Sequence, residues 1–252
     1  MLEITMAKDI DDALAGWEFR PGVVQARLVD ARDGRQVVQM RVDLGVLQME
    51  LDGRPDGQRP HGFPTYLDYL RHQAAQARAS GQKFQMNQEQ CQEADREFLQ
   101  YYHRRICWLT LRLYERAMAD ADHTLAFMDF VNRYAPDKDY ALTHEQYRGF
   151  VHFHRAQAAA GLALERNDPE AAIDELHNGI EQIRLFYQKH GLEERFAEDP
   201  MVRHLQQMQQ QVREMHQIGA TLKEQLAEAV AQEDYERAAQ LRDAIRQRQR
   251  QE

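Results

Sequence analysis

The chain has 252 residues, enough to bury a sizeable core in one large or two modest domains. Hydrophobic residues make up 43% and charged residues 29%, a balance that excludes global disorder. The formal charge is −9, from 32 basic against 41 acidic residues, so nucleic acid is not favoured as principal ligand and is left only a local basic patch.

Cys91 and Cys107 are the only cysteines, too few for a disulfide scaffold, which fits a reducing cytoplasm. The stretch from Met1 to Ile10 has no basic start followed by an apolar run, and no later stretch reaches the length of a membrane span. The expectation is a cytoplasmic protein without a membrane partner.

Strand patterning is confined to the first fifty residues. Val24, Ala26 and Leu28 alternate with Gln25, Arg27 and Val29, the period of a half-buried strand. Asp33-Gly34 marks a hairpin, because glycine accepts positive φ. Alternation resumes at Val38, Met40, Val42 and Leu44, then changes phase after Gly45 to Leu47, Met49 and Leu51. That flip predicts a bulge or tight bend. These strands form a small antiparallel β-meander. Residues 52–64 hold three prolines and three glycines and form a loop without the spacing of a dinucleotide fingerprint.

Helical spacing takes over next. Thr65 with Asp68 begins a helix whose apolar face is Tyr66, Leu67, Leu70, Ala74 and Ala77, and Ser80-Gly81 ends it. From Asn87, the set Cys91, Ala94, Phe98, Tyr102, Ile106 and Leu109 predicts a second helix, and a third starts near Tyr114. A loop from Tyr134 to Thr143 leads to a further pair, its second helix opened by Asp168-Pro169. Small residues sit at the contact positions of this pair: Ala156, Ala159, Ala160 and Ala163, then Ala172. The arrangement resembles the tetratricopeptide repeat. The earlier unit departs from it, with Arg104 and Arg105 where apolar and small residues are expected, and Ala117 lies 55 residues before Ala172. Two degenerate repeat-like hairpins are the reading, not a regular solenoid.

After Asp199-Pro200, Met201, Leu205, Met208, Val212, Met215, Gly219, Leu222, Leu226 and Ala229 alternate intervals of four and three, a coiled-coil seam. Gly219 on the seam, with Thr221 and Glu224 as a capping box, marks where the long helix bends or restarts. Two short amphipathic helices then meet at the acidic corner Gln232-Glu233-Asp234. Each has a narrow apolar stripe and too little bulk to form a core alone, so the stripes need further helices to cover them.

Leu226, Ala229, the corner through Asp234-Tyr235-Glu236, Ala238-Ala239 and Leu241-Arg242-Asp243 with Ile245 resemble the UVR motif. This is the helical hairpin through which the UvrB and UvrC subunits of the bacterial excision-repair nuclease meet. The resemblance implies a pairing hairpin, shared by repair-nuclease subunits and by adaptors of bacterial protein quality control. Its contact residues would be Leu222, Leu226, Val230, Tyr235, Ala238, Leu241, Arg242 and Ile245. Helicase and nuclease segments are absent, so the catalytic parts of the repair family do not carry over.

No constellation outside this hairpin carries chemistry. His103 and Cys107 stand one helical turn apart but lack a second ligand pair for zinc. His152 and His154 diverge on a helix. Asp120, Asp122 and His123 would need a cleft for acid–base work, and a solvated helix face explains them more simply. Arg237, Arg242, Arg246, Arg248 and Arg250 form the one basic concentration, offset by Glu233, Asp234 and Asp243.

The sequence therefore predicts a mostly α member of the α+β class in three parts. Residues 1–62 are the meander and loop, 63–198 a tetratricopeptide-like helical domain, and 199–252 a long helix leading into the hairpin at 222–247. The expected role is a non-catalytic adaptor without metal or cofactor, a homodimer or the partner of another UVR protein. The alternative is a nucleic-acid-associated accessory factor of excision repair.

Overall fold

The computed structural model describes residues 10–249. A short helix α1 (Asp11–Leu14) precedes strands β1 (Ala26–Asp30), β2 (Gln36–Val42) and β3 (Gly45–Glu50). The strands pair in sequence order as an antiparallel meander. Leu28, Val38 and Met49 stand side by side across the sheet, as do Ala26, Met40 and Leu47. In β2–β3, even-numbered residues therefore pair with odd-numbered ones. Of the bulge or tight bend expected at Gly45 the structure has the tight bend, a two-residue turn at Asp43-Leu44, and its length alone produces the change of phase. Leu44 at the turn is 88% exposed, so the alternation of β2 ends at Val42.

On the opposite face, Arg27, Gln39 and Gln48 form a polar row. Arg27 donates to Gln39 Oε1 at 2.8 Å, and Gln39 donates to Gln48 at 3.0 Å. The Arg27 guanidinium also lies 4.0 Å over the ring of Trp17. The central strand is covered on both faces, with Val37, Val38 and Gln39 all buried.

Helices α2 (Tyr66–Ala79), α3 (Gln88–Thr110), α4 (Tyr114–Tyr134) and α5 (Lys138–Glu145) follow. Thr65 caps α2 by accepting from Asp68 N, and Asn87 closes a capping box with Gln90 at the start of α3. Helix α5 occupies most of the segment expected to be a loop. Asp137 accepts from Tyr140 N and starts it, and eight mixed residues show little helical periodicity. Tyr66, Leu67 and Leu70 of α2, Cys91 and Ala94 of α3, and Phe127, Phe130 and Val131 of α4 share one core.

The second half comprises α6 (Arg148–Glu165), α7 (Pro169–Lys189), α8 (Glu193–Phe196), α9 (Pro200–His216), α10 (Leu222–Ala231) and α11 (Tyr235–Gln249). Its core joins Ala156 and Ala160 of α6, Ala172, Ile173, Leu176, Ile180 and Ile183 of α7, and Val202, Leu205 and Val212 of α9. Gly179 permits the close approach, since a Cβ there would lie 2.2 Å from that of Ala156.

The chain divides after Arg148 into two compact units. This differs from the expected divisions at 62 and 198. The meander packs with α3, and α9 supplies core residues to α7, so neither boundary separates independent cores. The long seam from Met201 breaks where Gly219 and the Thr221–Glu224 capping box predict it. α9 stops at His216, Gln217 adopts φ 55°, and Gly219 lies outside any helix. Val202, Leu205 and Val212 face the core while Met215 is 77% exposed. Among the described residues no helix is long and apolar enough to cross a membrane.

Candidate protein-pairing hairpin

The helix break after α9 is built by polar contacts. Thr221 Oγ1 accepts from Glu224 N at 3.2 Å, and Glu224 Oε2 accepts from Thr221 N at 2.8 Å. Arg213 on α9 binds both Glu224 and the Gly219 carbonyl. Thr221 is fully buried, and its hydroxyl donates to Asp174 Oδ1 of α7 at 3.0 Å. Leu222 N donates to Glu170 Oε1 at 2.5 Å, and Lys223 Nζ lies 3.0 Å from Asp174 Oδ2. The first turn of α10 is thus clasped to the start of α7 by hydrogen bonds and charge. Sequence reasoning missed Glu170 and Asp174, because acids on an amphipathic helix give no signal beyond a solvated face.

The corner between α10 and α11 also has a specific geometry. Glu233 takes the left-handed conformation with φ 57°. Asp234 N donates to Ala229 O at 2.9 Å, and Asp234 Oδ1 accepts from Arg237 N at 3.0 Å, capping α11. Ala229 and Ala238 are both buried, the small side chains that let the two helices close on each other. Ala238, at 0% exposure, serves the inside of the hairpin.

The other expected contact residues remain at least partly accessible. Val230 is 48% and Tyr235 68% exposed, on either side of the corner. Leu222, Leu226, Leu241 and Ile245 are half-buried, and Arg242 is exposed. None of them belongs to the core formed by α6, α7 and α9. The tail residues beyond 249, including Arg250, lie outside the described residues.

Residues 220–251 match the family model of the UvrB/uvrC motif, UVR. A UVR motif is present near the C-terminus. It coincides with α10, the Glu233 corner and α11, so the matched segment is a helical hairpin. No curated protein and no solved structure matches the chain.

The residues considered for catalysis have structural partners instead. Asp120 accepts from Arg104 Nε at 2.9 Å, Arg104 Nη2 at 2.6 Å and Trp108 Nε1 at 3.0 Å. Arg104 also donates to the Glu50 and Gly53 carbonyls, and Tyr101 donates to the Gly53 carbonyl, fixing the loop after β3. Glu97, fully buried, accepts from Tyr66 N at 2.6 Å and Leu67 N at 3.2 Å, satisfying the first amides of α2. His123 Nε2 lies 3.1 Å from Glu97, and its ring stacks on Tyr101. Asp122 is exposed.

Burial pushes the Cys107 thiol up to about 12 and holds His103 below the usual imidazole range. A thiol held protonated is not tuned for nucleophilic or metal chemistry at neutral pH. His154 is buried with its ring 4.2 Å from that of Phe150. Among the described residues no group of three or more His, Cys, Asp and Glu could hold a metal ion.

Proposed function

We propose that this chain is a non-catalytic adaptor of the bacterial cytoplasm that uses its UVR hairpin to pair with a second copy or another UVR protein. The observation that supports it best is the exposed Val230 and Tyr235 beside a corner whose helices lie outside the neighbouring core. With half-buried Leu222, Leu226, Leu241 and Ile245, these side chains make up an incompletely covered apolar edge. Completing the burial of a large apolar side chain contributes up to about 1.5–3 kcal/mol before the costs of association.

Molecular mass in solution tests self-pairing. At about 100 μM, above the Kd of a weak micromolar dimer, the chain should show twice its 29.6 kDa mass. Val230→Asp combined with Tyr235→Ser should return it to the monomer with its helical content intact. A wild-type chain that stays monomeric refutes homodimerisation and leaves hetero-pairing as the form to test.

A link to repair or to protein quality control follows from the motif's usual company. The alternative, a nucleic-acid-associated factor of excision repair, draws on exposed Arg237, Arg242 and Arg246 along α11. It predicts DNA binding that weakens steeply with salt.

A further inference from the structure

We propose that the groove between α2 and α4 docks an acidic amphipathic helix of a partner protein. The groove encloses about 650 Å³. Its floor is made by Ala74, Ala75 and Ala79 of α2 with Ala126 of α4, and Phe130 and Tyr134 extend its apolar wall. On each helix the lining residues recur at helical spacing over eight positions, or about 12 Å of helix length. Such a valley of small side chains lets an incoming helix approach the backbone closely, and helix-in-groove docking reads anchors at the same spacing.

Charge identifies the occupant. Arg71 and Arg78 of α2 and Arg133 of α4 rim the groove. Among the described residues, Arg78 and Arg133 have no carboxylate within ion-pair distance, and Arg71 has only Asp68 at 3.9 Å. Asp129, the one acid in the lining, is already held by Arg148 at 2.7 Å. Arg78, and Arg133 whose guanidinium lies 5.3 Å over the Tyr134 ring, are therefore left without a carboxylate, and Arg71 is held only at 3.9 Å by Asp68, on a chain whose net charge is −9. Arg71 and Arg78 lie two turns apart on one face, about 10.5 Å, a spacing matched by carboxylates two turns apart on a docked helix. A nucleic acid fits less well, since three cations on a negative chain give few phosphate contacts.

The test uses fluorescence anisotropy on the full chain. The probes are a fluorescein-labelled synthetic helix with a leucine face flanked by glutamates two turns apart, its lysine-for-glutamate counterpart, and a labelled single-stranded oligonucleotide. The acidic helix should bind saturably and the other two should not. Arg78→Glu with Arg133→Glu, both at exposed positions, should weaken it at least about tenfold. Ala75→Trp, which fills the floor without changing charge, should weaken it as well while the melting curve stays that of the wild type. The hairpin variant Val230→Asp/Tyr235→Ser should bind the peptide normally, which separates this site from pairing. No binding of the acidic helix, equal binding of the lysine helix, preference for the oligonucleotide, or full affinity in the double arginine variant would overturn the proposal.

Discussion

Gly179→Ala should destabilise the second unit although alanine is the better helix former. The substitution gains about 1 kcal/mol of helix propensity in the interior of α7. Against this, the new Cβ would sit 2.2 Å from the Ala156 Cβ and 3.6 Å from Leu205 Cδ1. Carbon atoms in contact prefer roughly 3.5–4.0 Å, so α6 and α7 must move apart by about 1.3 Å or more. Ala156 has no side-chain torsion to turn away, and its position is 3% exposed. Overpacking of this kind costs about 1–3 kcal/mol, and a contact this short belongs at the upper end. The net loss is then about 1–2 kcal/mol. Urea unfolding followed by circular dichroism reads it as a midpoint lower by about 0.3–2 M, for a slope of about 1–3 kcal/mol per molar. Ala156→Gly on the same background should recover part of the loss beyond additivity, because it removes the opposing carbon. A midpoint equal to or above the wild type would show that the helices do not approach as described.

Glu97→Ala should cost about 3–5 kcal/mol, since it strips the acceptor from two α2 amides and leaves buried Arg54 with less opposing charge; a urea titration checks it. Glu97→Gln, which keeps one carbonyl oxygen in place, should cost distinctly less. Burial depresses His144, with Asp95 opposing it, and burial also depresses His103, so both stay neutral in the fold while their unfolded forms titrate near 6.5. The unfolded chain therefore binds more protons below pH 6.5, and stability should fall as pH drops from about 6.5 through the lower folded values. Melts between pH 7.5 and 5 should show that slope, flattened by His103→Asn; a pH-independent midpoint over this range would contradict it. Glu233→Gly should raise hairpin stability by about 1 kcal/mol by releasing the left-handed strain at φ 57°, measured as slower amide exchange in α10 and α11.

Local end signals made most of the helices legible. Thr65, Asn87, Asp168, Asp199 and Thr221 each cap the helix that follows, a interaction within three residues that sequence displays directly. The UVR hairpin was legible for the same reason, since its corner and its small inner residues lie within one short segment. What escaped depends on partners distant in sequence. Arg104 and Arg105 read as flaws in an apolar pattern, yet both are buried, because Asp120 and Thr124 on α4 receive them. The break in the seam from Met201 to Ala229 was legible from Gly219 and the Thr221–Glu224 capping box, and only the left-handed Gln217 that ends α9 escaped, because apolar spacing is blind to backbone dihedrals. Likewise, nothing in α2 alone announces that Arg71 and Arg78 border a groove with Arg133.

The clasp of Thr221, Leu222 and Lys223 on Glu170 and Asp174 has an evolutionary consequence. Because the apolar core of α6, α7 and α9 includes no side chain from α10 or α11, substitutions along the hairpin's outer edge leave that core intact. Binding preference can drift there from one descendant to the next while the platform that carries it stays the same.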